Sequence, residues 1–127
     1  MIATIGVIAL GGACGAVARH GVNVLSVQIF GHGFPWGTLC VNILGSFMMG
    51  LLVVKFSHMA QVSSEIRMLC MTGFLGAFTT FSTFSLDVVT LYERGDIVQA
   101  GGYVLASVVL SIMGLFLGLM IMRGLSA

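Results

Sequence analysis

The sequence predicts an all-α membrane protein of four spanning helices, the third broken near its middle. Three observations carry this expectation: scarce charge, long uncharged runs, and a cluster of glycine and hydroxyl residues inside one run. The 127 residues include five Lys or Arg and four Asp or Glu, 7% charged against 58% apolar. An average soluble domain carries about a quarter of its residues as charges. No acidic or basic side chain falls between Arg19 and Lys55, or between Asp96 and Arg123. A water-facing surface cannot be assembled from so few charges. A small soluble domain, a nucleic-acid binder and a disordered segment are therefore excluded.

An apolar helix crosses the hydrocarbon layer in about 20 residues, and a barrel strand in about 10 with strict alternation. The runs here are continuous, so the spans are helices, expected at about 2–27, 36–56, 66–92 and 97–122. Short loops near Phe30–Pro35, Ser57–Ser64 and Glu93–Asp96 join them, which leaves no room for a soluble domain. Residues 1–127 read as one four-helix subunit. Ala16-Val17-Ala18 has the look of a signal-peptidase site, but no Lys or Arg precedes Arg19, and a cleavable signal wants a basic region ahead of its apolar core. Gly11, Gly12 and Gly15 read instead as a face for helix packing.

Enzyme chemistry finds no support. Cys14, Cys40 and Cys70 sit inside apolar spans without a CxxC spacing and read as small packing residues. His20, His32 and His58 are isolated near span ends, so no metal cluster of side chains is expected. No Ser-His-Asp set, carboxylate pair or phosphate-cradling glycine loop is visible.

Flanking charge normally sets orientation. Lys55, Arg67 and Arg123 fall on one side of a four-span chain and Arg19 and Arg94 on the other, which is almost no bias. Two readings stay open: a chain too short for the rule, or one that inserts both ways and pairs head to tail with itself. Gly11-xxx-Gly15, Ser46-xxx-Gly50 and Gly114-xxx-Gly118 are small-xxx-small pairs that let backbones approach closely in lipid. They serve either a second copy or closure of the four-helix unit itself. Because four helices fill their own interior, a permeation route favours a second copy.

Polar groups within spans are costly and tend to be functional. Residues four apart share a helix face, and each helix has such a stripe: Gly11, Gly15 and Arg19; Thr38, Asn42 and Ser46; Thr79, Thr83 and Asp87; Tyr103, Ser107 and Ser111. Ser and Thr can back-bond to their own helix. Asn42 cannot satisfy its amide that way and should face a partner, water or a substrate. In the third span, hydroxyls fill every position from Thr79 to Ser85 except Phe81 and Phe84, just after Gly73 and Gly76. Glycine and β-branched residues form helix poorly, so a break is expected near Gly76–Thr80. A break frees carbonyls that can hold a cation and amides that favour an anion. Phe74, Phe78, Phe81 and Phe84 fall at helical spacing, which by default means lipid or core. Phe81 and Phe84 also alternate with hydroxyls, and the positive edge of a ring beside an amide and hydroxyls makes a site for a small anion without a fixed charge to trap it.

The run Thr79-Thr80-Phe81-Ser82-Thr83-Phe84 follows Gly73-Phe74-Leu75-Gly76. Upstream lie Gly37-Thr38 and Gly45 around Asn42, and the glycines of the first helix lead to Arg19. Together these resemble the Fluc (CrcB) family of small fluoride channels over nearly the whole chain. The resemblance implies an antiparallel, dual-topology homodimer in the bacterial inner membrane, inserted in both orientations, with two fluoride pores and a structural sodium ion at its centre. It implies that Phe81, Phe84 and Asn42 coordinate fluoride, that Thr38, Ser107 and Ser111 line the pore, and that Arg19 sits in a vestibule. Ser82, Thr83, Asp87 and Tyr103 would form a polar track, and backbone carbonyls of Gly76 and Thr79 would hold the sodium. Many relatives carry Glu where this chain has Asp87.

Two rivals are weaker. A dual-topology multidrug exporter needs a carboxylate in its first helix, and the first span has none. A holin-like protein should end in a charged tail, whereas this chain ends Arg123-Gly124-Leu125-Ser126-Ala127.

Overall fold

The computed structural model describes residues 1–127. Four helical stretches are long and apolar enough to cross a membrane: Ile2–Phe30, Trp36–His58, Ser64–Glu93 and Ile97–Ser126. The first two are α1 (Ile2–Phe30) and α2 (Trp36–His58). The third is interrupted. It begins as α3 (Ser64–Arg67), widens into a π-helical segment over Met68–Leu75, closes with α4 (Gly76–Phe78), and resumes as α5 (Phe81–Glu93). The last is α6 (Ile97–Ser126).

Local chemistry explains the ends. Ser63 caps α3 by accepting from the Ile66 N–H, as an N-cap hydroxyl does. Gly31, at φ 78°, stops α1. Gly95, at φ 85°, ends α5: its N–H donates to the Tyr92 carbonyl and that of Asp96 to the Leu91 carbonyl, a Schellman motif that needs a left-handed residue.

The helices associate mainly as two pairs, α1 with the π segment and α2 with α6. Both pairs meet backbone to backbone. A Cβ on Gly15 would collide with the Phe74 carbonyl, and one on Gly118 with the Phe47 carbonyl. The small-residue faces thus close the unit within one chain: Gly11 and Gly15 meet the π segment, and Gly50 meets Gly118. They are not free for a second copy, so of the two readings left open by the spacing, closure of the four-helix unit is the one that holds.

The core is thin. One cluster gathers Leu39, Phe84, Leu91, Ala100 and Tyr103, and another Val41, Leu75 and Phe78. Large apolar side chains elsewhere lie open on all four spans, the surface a helix shows to hydrocarbon.

Candidate functional site: a cavity at the break of the third span

The break lies at Thr79–Thr80, within the expected interval. Both residues are extended, with φ −83° and ψ 158° at Thr79 and φ −154° and ψ 120° at Thr80. Three side chains supply what the helix gives up. Asn42 on α2 accepts the Thr80 N–H on Oδ1 at 2.8 Å and donates from Nδ2 to the Thr80 carbonyl at 3.0 Å. Thr80 Oγ1 caps α5 by accepting from the Thr83 N–H at 3.1 Å. Thr79 Oγ1 donates to the Leu75 carbonyl at 2.9 Å, and its methyl fills the space that a Cβ would need at Gly45.

This arrangement leaves several carbonyls without their helical partners, those of Gly76 and Thr79 among them. In an unbroken helix the Gly76 carbonyl would take the Thr80 N–H, and the Thr79 carbonyl the Thr83 N–H. Asn42 and the Thr80 hydroxyl have taken those donors.

Around the break lies a cavity of about 360 Å³, whose lining includes Asn42, Ser46, Gly76, Thr79, Phe81, Phe84, Ser107 and Ser111. No charged side chain lines it. The Ser107 and Ser111 hydroxyls, one turn apart on α6, are buried and make no hydrogen bond. A buried donor without a partner is costly, so these two are chemically available. The Phe81 and Phe84 rings stand 5.4 Å apart. Phe84 is buried, whereas Phe81 is 77% exposed in the single chain.

The remaining site candidates fall elsewhere. Thr38, Thr83 and Asp87 line a second cavity of about 260 Å³, with Asn23, Phe34 and Arg94. The expected single lining of Thr38 with Ser107 and Ser111 is therefore split between two cavities. Tyr103 lies between them, buried, donating to Asp87 Oδ2 at 2.9 Å. Arg19 reaches Thr83 Oγ1 from α1 at 3.4 Å. The Ser82 hydroxyl lies 3.4 Å from that of Thr80. The stripe Thr79, Thr83 and Asp87 does not continue as one face, because the break falls inside it. Residues not singled out from sequence also matter: Thr80 is both the partner of Asn42 and the α5 cap, and Phe34 packs on Tyr103. The capping-residue preference could have flagged Thr80.

Comparison with known proteins places the sequence in a family. The model of the CrcB-like protein, Camphor Resistance (CrcB) family matches residues 6–119. A protein of Cereibacter sphaeroides named fluoride-specific ion channel FluC is 52% identical over 124 residues, covering 98% of each chain. One of the same name from Agrobacterium fabrum is 50% identical over 121 residues, 95% of this chain and 97% of its own. A third, from Rhizobium etli, is 48% identical over 118 residues, 93% and 94%. These relatives are named as channels, not enzymes. The family model's match over residues 6–119 and relatives about half identical along nearly the whole length lead to one assignment: the chain belongs to the CrcB family.

Proposed function

We propose that this protein is a fluoride-selective channel that lets fluoride leave the cell passively across the bacterial inner membrane. The observation that carries the reading is the uncharged cavity at the break, whose lining brings two unpartnered hydroxyls together with two phenylalanine rings and an amide. In a low-dielectric interior such donors attract an anion strongly, yet without a fixed charge they release it again, as conduction requires. Fluoride, small and a strong hydrogen-bond acceptor, profits most from closely set hydroxyls. Asn42 retains one N–H beyond the one given to Thr80, and that proton is its means of touching the ion. Phe81 and Phe84 offer ring edges, Ser107 and Ser111 offer hydroxyls, and Thr38, Thr83, Ser82, Asp87 and Tyr103 carry the polar route onward, with Arg19 drawing anions toward it.

The working unit in this reading is an antiparallel homodimer with two pores. Near-balanced flanking charge permits insertion both ways, and the open Phe81 ring suits completion by a second copy. A structural sodium ion fits the chain's own donors: Gly76 and Thr79 present carbonyls whose helical partners are engaged elsewhere, and backbone oxygen is what a hard cation prefers. Held there from both subunits, it would supply a fixed positive field that offsets part of the cost of an anion in lipid.

The test is efflux from liposomes containing purified protein, read with fluoride and chloride electrodes. Fluoride should leave without an energy source while chloride stays. Equal leakage of both ions would refute the proposal.

A further inference from the structure

We infer that Phe34, in the loop between α1 and α2, is a positioning residue whose ring braces Tyr103 as a partition between the two cavities. The inference rests on the channel reading above and adds the element that divides its route. The cavities have no lining residue in common. They lie one helical turn apart on α2, where Thr38 faces the outer one and Asn42 the inner. Tyr103 lines neither, sits one turn before Ser107 on α6, and is 0% exposed.

The Tyr103 ring is held from both sides. Phe84, from the inner cavity, has its centroid 5.2 Å away, and Phe34, which lines the outer cavity, meets Tyr103 edge-on at 5.4 Å and 82°. These contacts belong to an unbroken aromatic row running Phe30, Trp36, Phe34, Tyr103, Phe84, Phe81 from the loop to the break. The loop beneath Phe34 is itself fixed. Arg94 Nη2 donates to the Gly33 carbonyl at 2.8 Å and to Asp96 Oδ2 at 2.7 Å, and the Trp36 N–H donates to the Phe34 carbonyl at 2.9 Å. Leu39, Phe84, Leu91 and Ala100 pack with Tyr103 in one buried cluster, and Phe34 packs against that cluster from the loop, which narrows the staggered positions open to the phenol.

The consequence concerns selectivity. An ion moving between the cavities must exchange hydrogen bonds with the Tyr103 hydroxyl in a closed space, which admits a small, strongly accepting anion and stops a larger one. Removing the Phe34 ring gives Tyr103 room on the outer side, joins the cavities and weakens exclusion by size.

The experiment compares wild type, Phe34→Ala and Phe34→Leu in the liposome assay. Loss of an edge-on ring pair shifts an orientation equilibrium by up to about tenfold, so chloride efflux should rise by about that factor while fluoride efflux stays at or above wild type. A merely structural defect lowers both. An unchanged ratio of fluoride to chloride in both variants would overturn the inference. A readout independent of transport uses Tyr92→Phe, which leaves Tyr103 as the sole tyrosine, labelled as 3-fluorotyrosine. Its ¹⁹F resonance should shift or broaden in Phe34→Leu, and an unmoved resonance contradicts the brace. Wild-type protein that passes no fluoride defeats the channel reading instead, while the resonance still decides whether Phe34 holds the ring.

Discussion

Asn42→Asp is nearly isosteric and separates the two halves of the amide's work. The carboxylate can still accept the Thr80 N–H, now bonded at 2.8 Å, but it places a second oxygen where Nδ2 stands 3.0 Å from the Thr80 carbonyl. One hydrogen bond is lost, and a partly buried carbonyl loses its donor, together costing about 2–4 kcal/mol. If the carboxylate stays ionised at this depth, a further charge penalty of about 3 kcal/mol applies. Where the break must be closed for conduction, about 3 kcal/mol corresponds to a loss of about two orders of magnitude in efflux. Protonation supplies an O–H that can donate to Thr80 again, so the variant should recover as pH falls, opposite to a simple loss of fold in acid. The assay is fluoride efflux from liposomes at two pH values, with thermal melting of the detergent-solubilised protein beside it. Wild-type efflux and melting in Asn42→Asp at neutral pH would refute the view that this amide holds the break.

Other substitutions test neighbouring claims. Phe81→Ile keeps an apolar side chain at this exposed position but removes the positive ring edge, and should lower fluoride efflux by about tenfold with the melting temperature unchanged. Ser107→Ala together with Ser111→Ala deletes two unpartnered hydroxyls; melting should hold or rise, since no hydrogen bond is lost, while fluoride efflux falls. Gly118→Ala drives a methyl into the Phe47 carbonyl and should cost about 1–3 kcal/mol of stability, read as a lower melting temperature. Asp96→Asn breaks an exposed ion pair with Arg94, and stability should change by less than about 1 kcal/mol.

Much of this molecule was legible in its sequence, for reasons that also mark the limits. The helices announce themselves because charge is missing over lengths that cross a bilayer, and the break because Gly76 and the Thr79–Ser85 hydroxyls cluster where a span should be uniformly apolar. The expectation that Asn42 must find a partner off its own helix held, because an amide has more donors and acceptors than one helix can meet. That the partner is the Thr80 backbone was not legible, since it depends on how α2 lies across the third span. The π segment Met68–Leu75 was invisible because its residues are apolar on nearly every side, so no periodicity reports how the backbone winds. The small-residue pairs were ambiguous in the same way: spacing shows that a face is flat, not which helix it meets. Thr38 was grouped with Ser107 and Ser111 because the family resemblance implies one pore lining for all three, and neither the resemblance nor the four-residue spacing carries a sign that Tyr103 stands between them.

The measurement closest to the central claim is the reversal potential of current through purified protein in a planar bilayer, with fluoride concentrated on one side and chloride replacing it on the other. Passive, selective conduction through an uncharged cavity predicts reversal at the Nernst potential of fluoride. Reversal at the chloride potential, or no current at all from folded protein, would contradict it.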